Sequence, residues 1–338
     1  MQSDKKNLLE ISKAEANKWI RYGLKKNEED EVNNLLLVGN EDILMESFHK
    51  KLEFGTGGMR GLIGIGSNRI NSYTISLATQ GLCNYLNKVI DGNKSAVIAY
   101  DSRRFSKEFG NQTAKIFSAN NIKSYIFSDL RPTPELSFAV RELNCSCGIV
   151  ITASHNPKEY NGYKVYWNDG GQITSPHDNN IISEVEKITD FNQINFNFKS
   201  ELIEEIDNKI DKKYIEKIQS LSVYDNSRSK LKIIFSSLHG TGITQIPNAL
   251  NAFGFKNISS VKSQELPDPE FSTVTSPNPE DLDALDLGIK KLKKEKADIL
   301  LATDPDSDRV GVALYDKEKI KILNGNQLAS LIVYYSLI

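Results

Sequence analysis

An α/β fold assembled from successive βαβ units is what this sequence predicts, and three observations carry that reading. Short apolar, β-rich runs alternate with amphipathic segments of about ten to fifteen residues, the rhythm of strands and crossover helices in a mainly parallel sheet. One such run, 147–152, breaks off into Ala153-Ser154-His155-Asn156-Pro157, a turn sequence. Another, 298–302, runs into Asp304-Pro305-Asp306-Ser307-Asp308-Arg309. Open α/β sheets keep their chemistry at the carboxyl ends of strands, so both loops are candidate site segments.

In chain order, residues 1–50 are rich in Lys, Glu and Asn with helical periodicity and read as helices at the edge of the fold. A Gly-rich loop, Phe54-Gly55-Thr56-Gly57-Gly58-Met59-Arg60-Gly61, follows and continues to Gly64 and Gly66. Next come a helix (73–90), a strand (96–100), a helix (106–120), a strand (124–127) and a helix near Glu135. That helix leads into the strand before Ser154, and 161–166 reads as a strand returning beside it. The stretch 190–205, rich in Asn, Phe and charge, reads as a linker. A second round has a helix at 210–220, strand 231–235, helix 243–253 and strand 257–261. A Pro-rich loop, helix 280–296 and strand 298–302 complete it. The two rounds suggest a structural repeat, although the residues themselves show no clear self-similarity. The expected division is 1–50, 51–205, 206–322 and the start of a third unit at 323–338. The amphipathic pattern of 324–336 has no following segment to cover its apolar face, so the expectation is a truncated chain.

Composition narrows the function classes. With 338 residues, 39% hydrophobic and 25% charged, the chain has the make-up of an ordinary globular protein of two or more domains. A net charge of -2 supplies no field toward nucleic acid or an anionic membrane, and neither partner is expected. No apolar run approaches the roughly 20 residues that span a bilayer. Cys83, Cys145 and Cys147 cannot all pair, and Cys145-Ser146-Cys147 is not a CxxC, so a reduced, cytoplasmic setting is expected.

The aspartate loop is the sharper chemical signal. Residues two apart cannot share a helix face, but in an extended loop Asp304, Asp306 and Asp308 can converge. Hard oxygen ligands at that density suit Mg²⁺, with remaining positions left to phosphate and water. An EF-hand is excluded, because Arg309 stands where that loop needs Gly and Tyr315 where it needs Glu. The alternative is a solvated acidic turn, set against the repulsion of three uncompensated carboxylates.

Ser154 has His155 beside it and Lys164 ten positions on, but no flanking glycines of a G-x-S-x-G elbow, which argues against acyl transfer. A serine that carries a phosphoryl group suits both the cation and the bases. The Gly-rich loop matches neither a P-loop nor a dinucleotide fingerprint. It is either a phosphate-binding segment, through backbone N–H groups, Thr56 and Arg60, or a generic glycine turn. For His239-Gly240-Thr241-Gly242 the preferred reading is a tight strand-to-helix turn rather than an anion site.

Taken together, these residues resemble the α-D-phosphohexomutase superfamily, most closely its phosphoglucomutase/phosphopentomutase-like branch. The resemblance rests on Leu52 to Gly61, Thr152-Ala153-Ser154-His155-Asn156-Pro157-Lys158, Asn161-Gly162-Tyr163-Lys164-Val165-Tyr166-Trp167, Pro267-Asp268-Pro269 with Pro277-Asn278-Pro279-Glu280, and Ala302 to Arg309. It implies successive mixed-sheet α/β domains, the first two complete and the third only begun. It also implies that the sugar-recognition and distal phosphate loops of the later domains are missing.

The resemblance implies roles too. Ser154 is the phosphoserine, and Asp304, Asp306, Asp308 and a phosphoserine oxygen hold Mg²⁺. Lys164 is the general acid/base, with a pKa lowered toward neutrality. Thr56, Arg60, His155 and Arg309 neutralise phosphate charge. The implied activity moves a phosphoryl group between the C1 and C6 (or C5) hydroxyls of a hexose or pentose phosphate, with a sugar 1,6-bisphosphate as activator and intermediate. Truncation is expected to impair it. The alternatives are slow phosphatase-like hydrolysis or a non-catalytic sugar-phosphate-binding fragment. A sugar phosphate is the expected partner, and the expected state is a monomer or weak oligomer.

Overall fold

The computed structural model describes residues 2–222 and 230–337. Three helices open the chain, α1 (Gln2–Arg21), α2 (Lys26–Leu35) and α3 (Glu41–Phe48). They close around buried Trp19, Val32, Leu44 and Phe48, and the Trp19 indole meets the rings of Tyr73 and Phe191 from the following unit. This extension is therefore held on by shared aromatic burial, with Glu46–Arg69 and Glu28–Tyr73 pairing across the same junction.

The first sheet-bearing unit runs through β1 (Phe54–Gly55), β2 (Gly58–Leu62), α4 (Ser72–Val89), β3 (Ser95–Tyr100), α5 (Ser106–Ala119), β4 (Lys123–Ile126), α6 (Thr133–Glu142), β5 (Cys147–Ile151), β6 (Tyr160–Trp167), α7 (His177–Glu186) and β7 (Ile203–Glu205). The sheet order is β1-β2-β6-β5-β3-β4-β7. Strands β5, β3, β4 and β7 are parallel, and β6, β2 and β1 add antiparallel. The sheet is thus mixed rather than mainly parallel, because the Ser154 loop turns the chain straight back instead of feeding a crossover helix. The expected linker also differs: its end pairs as β7 on the sheet edge.

The second unit follows as α8 (Asn208–Gln219), β8 (Lys232–Ser236), α9 (Gly242–Ala252), β9 (Asn257–Ser260), α10 (Leu282–Glu295), β10 (Ile299–Thr303), β11 (Val310–Asp316) and β12 (Lys319–Leu323). Its sheet order is β12-β11-β10-β8-β9. The antiparallel pair β11–β12 was not expected from the sequence. Its turn, Lys317-Glu318, carries positive φ at two non-glycine residues and so lacks the Gly or Asn that usually marks a hairpin. Helix α11 (Gly325–Leu337) follows, and none of its described residues is buried.

The repeat suggested by sequence rhythm is visible in topology. The order β6-β5-β3-β4 corresponds to β11-β10-β8-β9, strand for strand and with the same directions. The Ser154 loop and the aspartate loop are therefore the same hairpin, β5–β6 in one unit and β10–β11 in the other. Cys83, Cys145 and Cys147 are free, buried thiols. Among the described residues no helix is long and apolar enough to cross a membrane.

Candidate active site

Strand β5 ends at Ile151, and Ser154 turns the chain at φ +53, a left-handed conformation that costs a non-glycine residue about 1 kcal/mol or more. Its amide donates to Thr152 Oγ1 at 2.8 Å, which helps hold the turn. The hydroxyl is consequently aimed across the unit boundary, donating to Asp304 Oδ2 at 2.7 Å, with His155 Nδ1 3.2 Å away.

In the second unit Asp304, Asp306 and Asp308 each offer an oxygen, all within 4.8 Å of one another. Asp304 and Asp306 are fully buried. Burial, reinforced by the neighbouring Asp306 and Asp308 charges, pushes the Asp304 carboxyl well above the usual range. Asp306 Oδ1 is buried with no hydrogen-bond partner among the described residues. An acceptor-only set with one orphaned oxygen and mutual repulsion fits a small hard divalent cation.

The glycines of His239-Gly240-Thr241-Gly242 serve packing, as preferred from the sequence. A Cβ on Gly240 would lie 2.3 Å from Pro305 Cα, and the Thr241 amide donates to Pro305 O at 2.8 Å. Part of the Gly-rich loop is likewise structural, since a Cβ on Gly58 would lie 1.8 Å from Tyr163 O.

Lys164 sits on β6, in register with Val150 on β5 and Gly58 on β2. Its ammonium pairs with Asp306 Oδ2 at 2.6 Å and Asp308 Oδ2 at 2.9 Å. Burial by itself would lower its pKa, but Asp306 and Asp308 outweigh burial and raise it above the ordinary lysine value. The shift runs opposite to the depression expected from sequence, because the nearest charges are carboxylates and not cations. Burial, then Arg309 and Arg60, lower the His155 pKa.

The remaining expected residues divide. Arg60, on β2, donates to Asn156 Oδ1 at 2.8 Å and so reaches the serine loop. Arg309 closes the aspartate loop through its amide on Asp304 Oδ1 at 3.0 Å, its guanidinium 3.6 Å from Glu280. Thr56 donates to Asp178 on α7, not into the serine loop.

Two family descriptions match this chain: phosphoglucomutase/phosphomannomutase α/β/α domain I over residues 51–192, and domain II of the same family over 212–317. The chain belongs to the α-D-phosphohexomutase superfamily. A phosphoglucomutase of Staphylococcus aureus (strain MRSA252) is 40% identical over 294 residues, covering 86% of this chain and 53% of the relative. The chain thus spans about half the length of the phosphoglucomutases it matches. A solved structure from Thermus thermophilus, provisionally described as a phosphomannomutase, superposes with a TM-score of 0.73 at 25% identity, over 85% of this chain and 62% of that one. A phosphoglucomutase/phosphomannomutase family protein from Burkholderia thailandensis, at 22% identity and a TM-score of 0.69, shares the fold over 84% of this chain and 58% of its own.

Within this superfamily fold, sequence reasoning missed two supports of the site. Thr133, the first residue of α6, donates its amide to Asp306 O at 2.9 Å and its hydroxyl to Asp306 Oδ2 at 3.0 Å. Asp101, just past β3, accepts the Thr152 hydroxyl at 2.6 Å. Only Pro132-Thr133, a helix-start signal, and the polar Asp101-Ser102-Arg103 after an apolar strand hinted at either.

Proposed function

We propose that this chain carries the phosphoryl-relay centre of a phosphosugar mutase. Ser154 takes a phosphoryl group from a hexose or pentose bisphosphate and returns one to the free hydroxyl of a sugar monophosphate. The observation that carries the reading is the Ser154–Asp304 hydrogen bond, which sets a buried serine hydroxyl against three clustered carboxylates.

In the charging half-reaction the P–O bond to the sugar breaks as a P–O bond forms to Ser154 Oγ. The serine proton ends on the released sugar oxygen. The second half reverses these changes on the other hydroxyl, so the phosphate exchanges position. Lys164 is the proton-carrying group in this reading, its ammonium placed at the centre by its pairs with Asp306 Oδ2 and Asp308 Oδ2. Arg60, His155 and Arg309 flank the centre and supply positive charge or hydrogen bonds for phosphate oxygens. A Mg²⁺ ion held by Asp304, Asp306, Asp308 and an oxygen of phosphorylated Ser154 would neutralise phosphate charge there.

Intact mass of the purified chain, before and after incubation with glucose 1,6-bisphosphate and Mg²⁺, tests the reading. The chain should gain one phosphoryl group and Ser154→Ala none. No gain by the wild-type chain, or an equal gain by Ser154→Ala, would refute it. Release of inorganic phosphate without isomer formation would instead mark a hydrolase.

A further inference from the structure

Arg103 is 3% exposed and lies just beyond β3, yet its terminal nitrogens collect four backbone carbonyls from one short segment. One donates to Pro157 O at 2.8 Å and Tyr160 O at 3.0 Å. The other donates to Ser154 O at 2.7 Å and Asn156 O at 2.5 Å. Nε faces Asp101 Oδ2 at 3.3 Å, an ion pair fully out of solvent. Asp101 Oδ1 accepts the Arg103 amide at 2.9 Å and the Ser106 hydroxyl at 2.7 Å. Its Oδ2 takes the Thr152 hydroxyl, and Thr152 Oγ1 in turn accepts the Ser154 amide. Both backbone polar groups of Ser154 therefore trace back to the Asp101–Arg103 pair, one through Thr152 and one directly.

The same guanidinium is tied to the second unit. It lies over the buried ring of Phe271, 5.0 Å from its centroid. Residues near Phe271 hold the same stretch, Glu270 pairing with Lys158 and the Ser276 hydroxyl donating to His155 O at 3.2 Å, while Glu270 also pairs with Arg104 next to Arg103.

A buried arginine that only satisfied stray carbonyls would stabilise the fold wherever they lay. Here all four belong to residues 154–160, and the residue so held sits in a left-handed turn with its hydroxyl on Asp304. We propose that Arg103 is a positioning residue for phosphoryl transfer at Ser154. With Asp101 it holds the turn that aims Oγ at the aspartate cluster, and through Phe271 it couples that aim to the docking of the second unit. This rests on the phosphoserine reading above. Lysine cannot replace it, since an ammonium has three donors and no planar face, against the fork and stacking plane of a guanidinium.

The test compares wild type, Arg103→Lys and Phe271→Leu. Three quantities are followed: the rate of phosphoryl gain from glucose 1,6-bisphosphate with Mg²⁺, the thermal transition, and backbone hydrogen exchange. Arg103→Lys should keep a cooperative transition and unchanged exchange in β3 and β5, while exchange across 152–160 quickens. Its phosphorylation should slow by about a hundredfold, the scale of a misplaced nucleophile. Phe271→Leu should slow it less, in the same direction. A wild-type chain that gains no phosphoryl group overturns the phosphoserine reading and this role with it. A wild-type chain that gains one, with Arg103→Lys equally fast or its loop exchange unchanged, overturns the positioning role alone. Should Arg103→Lys fail to fold, Phe271→Leu decides: a slowed rate supports the role and an unchanged one overturns it.

Discussion

The Ser154 hydroxyl donates to Asp304 Oδ2 at 2.7 Å across 150 positions of sequence. Each residue follows the parallel strand that turns back into an antiparallel partner, β5 in one unit and β10 in the other, so two copies of one topology present their equivalent hairpins to each other. The charge balance at that meeting point is unusual. Three carboxylates are compensated within the cluster chiefly by Lys164, and this makes the site sensitive to any change of charge.

Lys164→Ala should therefore destabilise the metal-free chain by about 3 kcal/mol, the cost of leaving a buried carboxylate unpaired. Mg²⁺ should recover part of that loss in the variant and also raise the wild-type Tm, by linkage worth about 2.7 kcal/mol at a hundredfold excess over Kd. Thermal melts in EDTA and in excess Mg²⁺ check both. An equal loss in the two buffers would mean that the cluster does not exchange one cation for another.

Gly240→Ala should disturb the site without touching a carboxylate. The added Cβ would lie 2.3 Å from Pro305 Cα, against backbone that cannot swing away. Overpacking of this kind costs roughly 1–3 kcal/mol. Because Pro305 lies between Asp304 and Asp306, the variant should also show a smaller Mg²⁺-induced rise in Tm than wild type.

Glu135 supplies a pH prediction away from the aspartate cluster. This fully buried carboxyl on α6 accepts from Gln245 at 3.3 Å, with Arg131 and Asp211 beside it. Burial first, then sharing a proton with Asp211, pushes its pKa up to about 9. The folded chain thus holds a proton that the unfolded chain releases above its ordinary pKa of about 4.5. That contribution is complete below pH 4.5 and fades as pH rises toward 9. Glu135→Gln removes the titration, so the variant's Tm minus the wild-type Tm should become more positive from pH 5 to pH 9. A difference that stays flat across this range would show that Glu135 is ionised in the fold.

The two loops that carry the chemistry were legible because each is a local pattern, an apolar strand stopped by a polar turn. The aspartate spacing was legible for the same reason, since alternate residues of an extended loop can converge whatever surrounds them. Thr56 shows the limit of that reasoning: its glycine-rich setting suits phosphate, but its hydroxyl is committed to Asp178 on α7. The direction of the Lys164 shift was hidden too, because it depends on carboxylates 142 and 144 positions away.

By itself, then, the sequence determined the strand–helix rhythm, the repeat of two rounds, and which residues could be nucleophile and metal ligands. These follow from short-range periodicity and from the chemistry of side chains within a few positions. Only the tertiary structure decided that the two loops face each other, that Thr133 braces Asp306, and that Arg103 gathers the carbonyls of the serine loop against Phe271. Those contacts join segments that share no local pattern. They exist because the loop ends of two separately cored sheets meet, and polar groups buried at that meeting must satisfy one another.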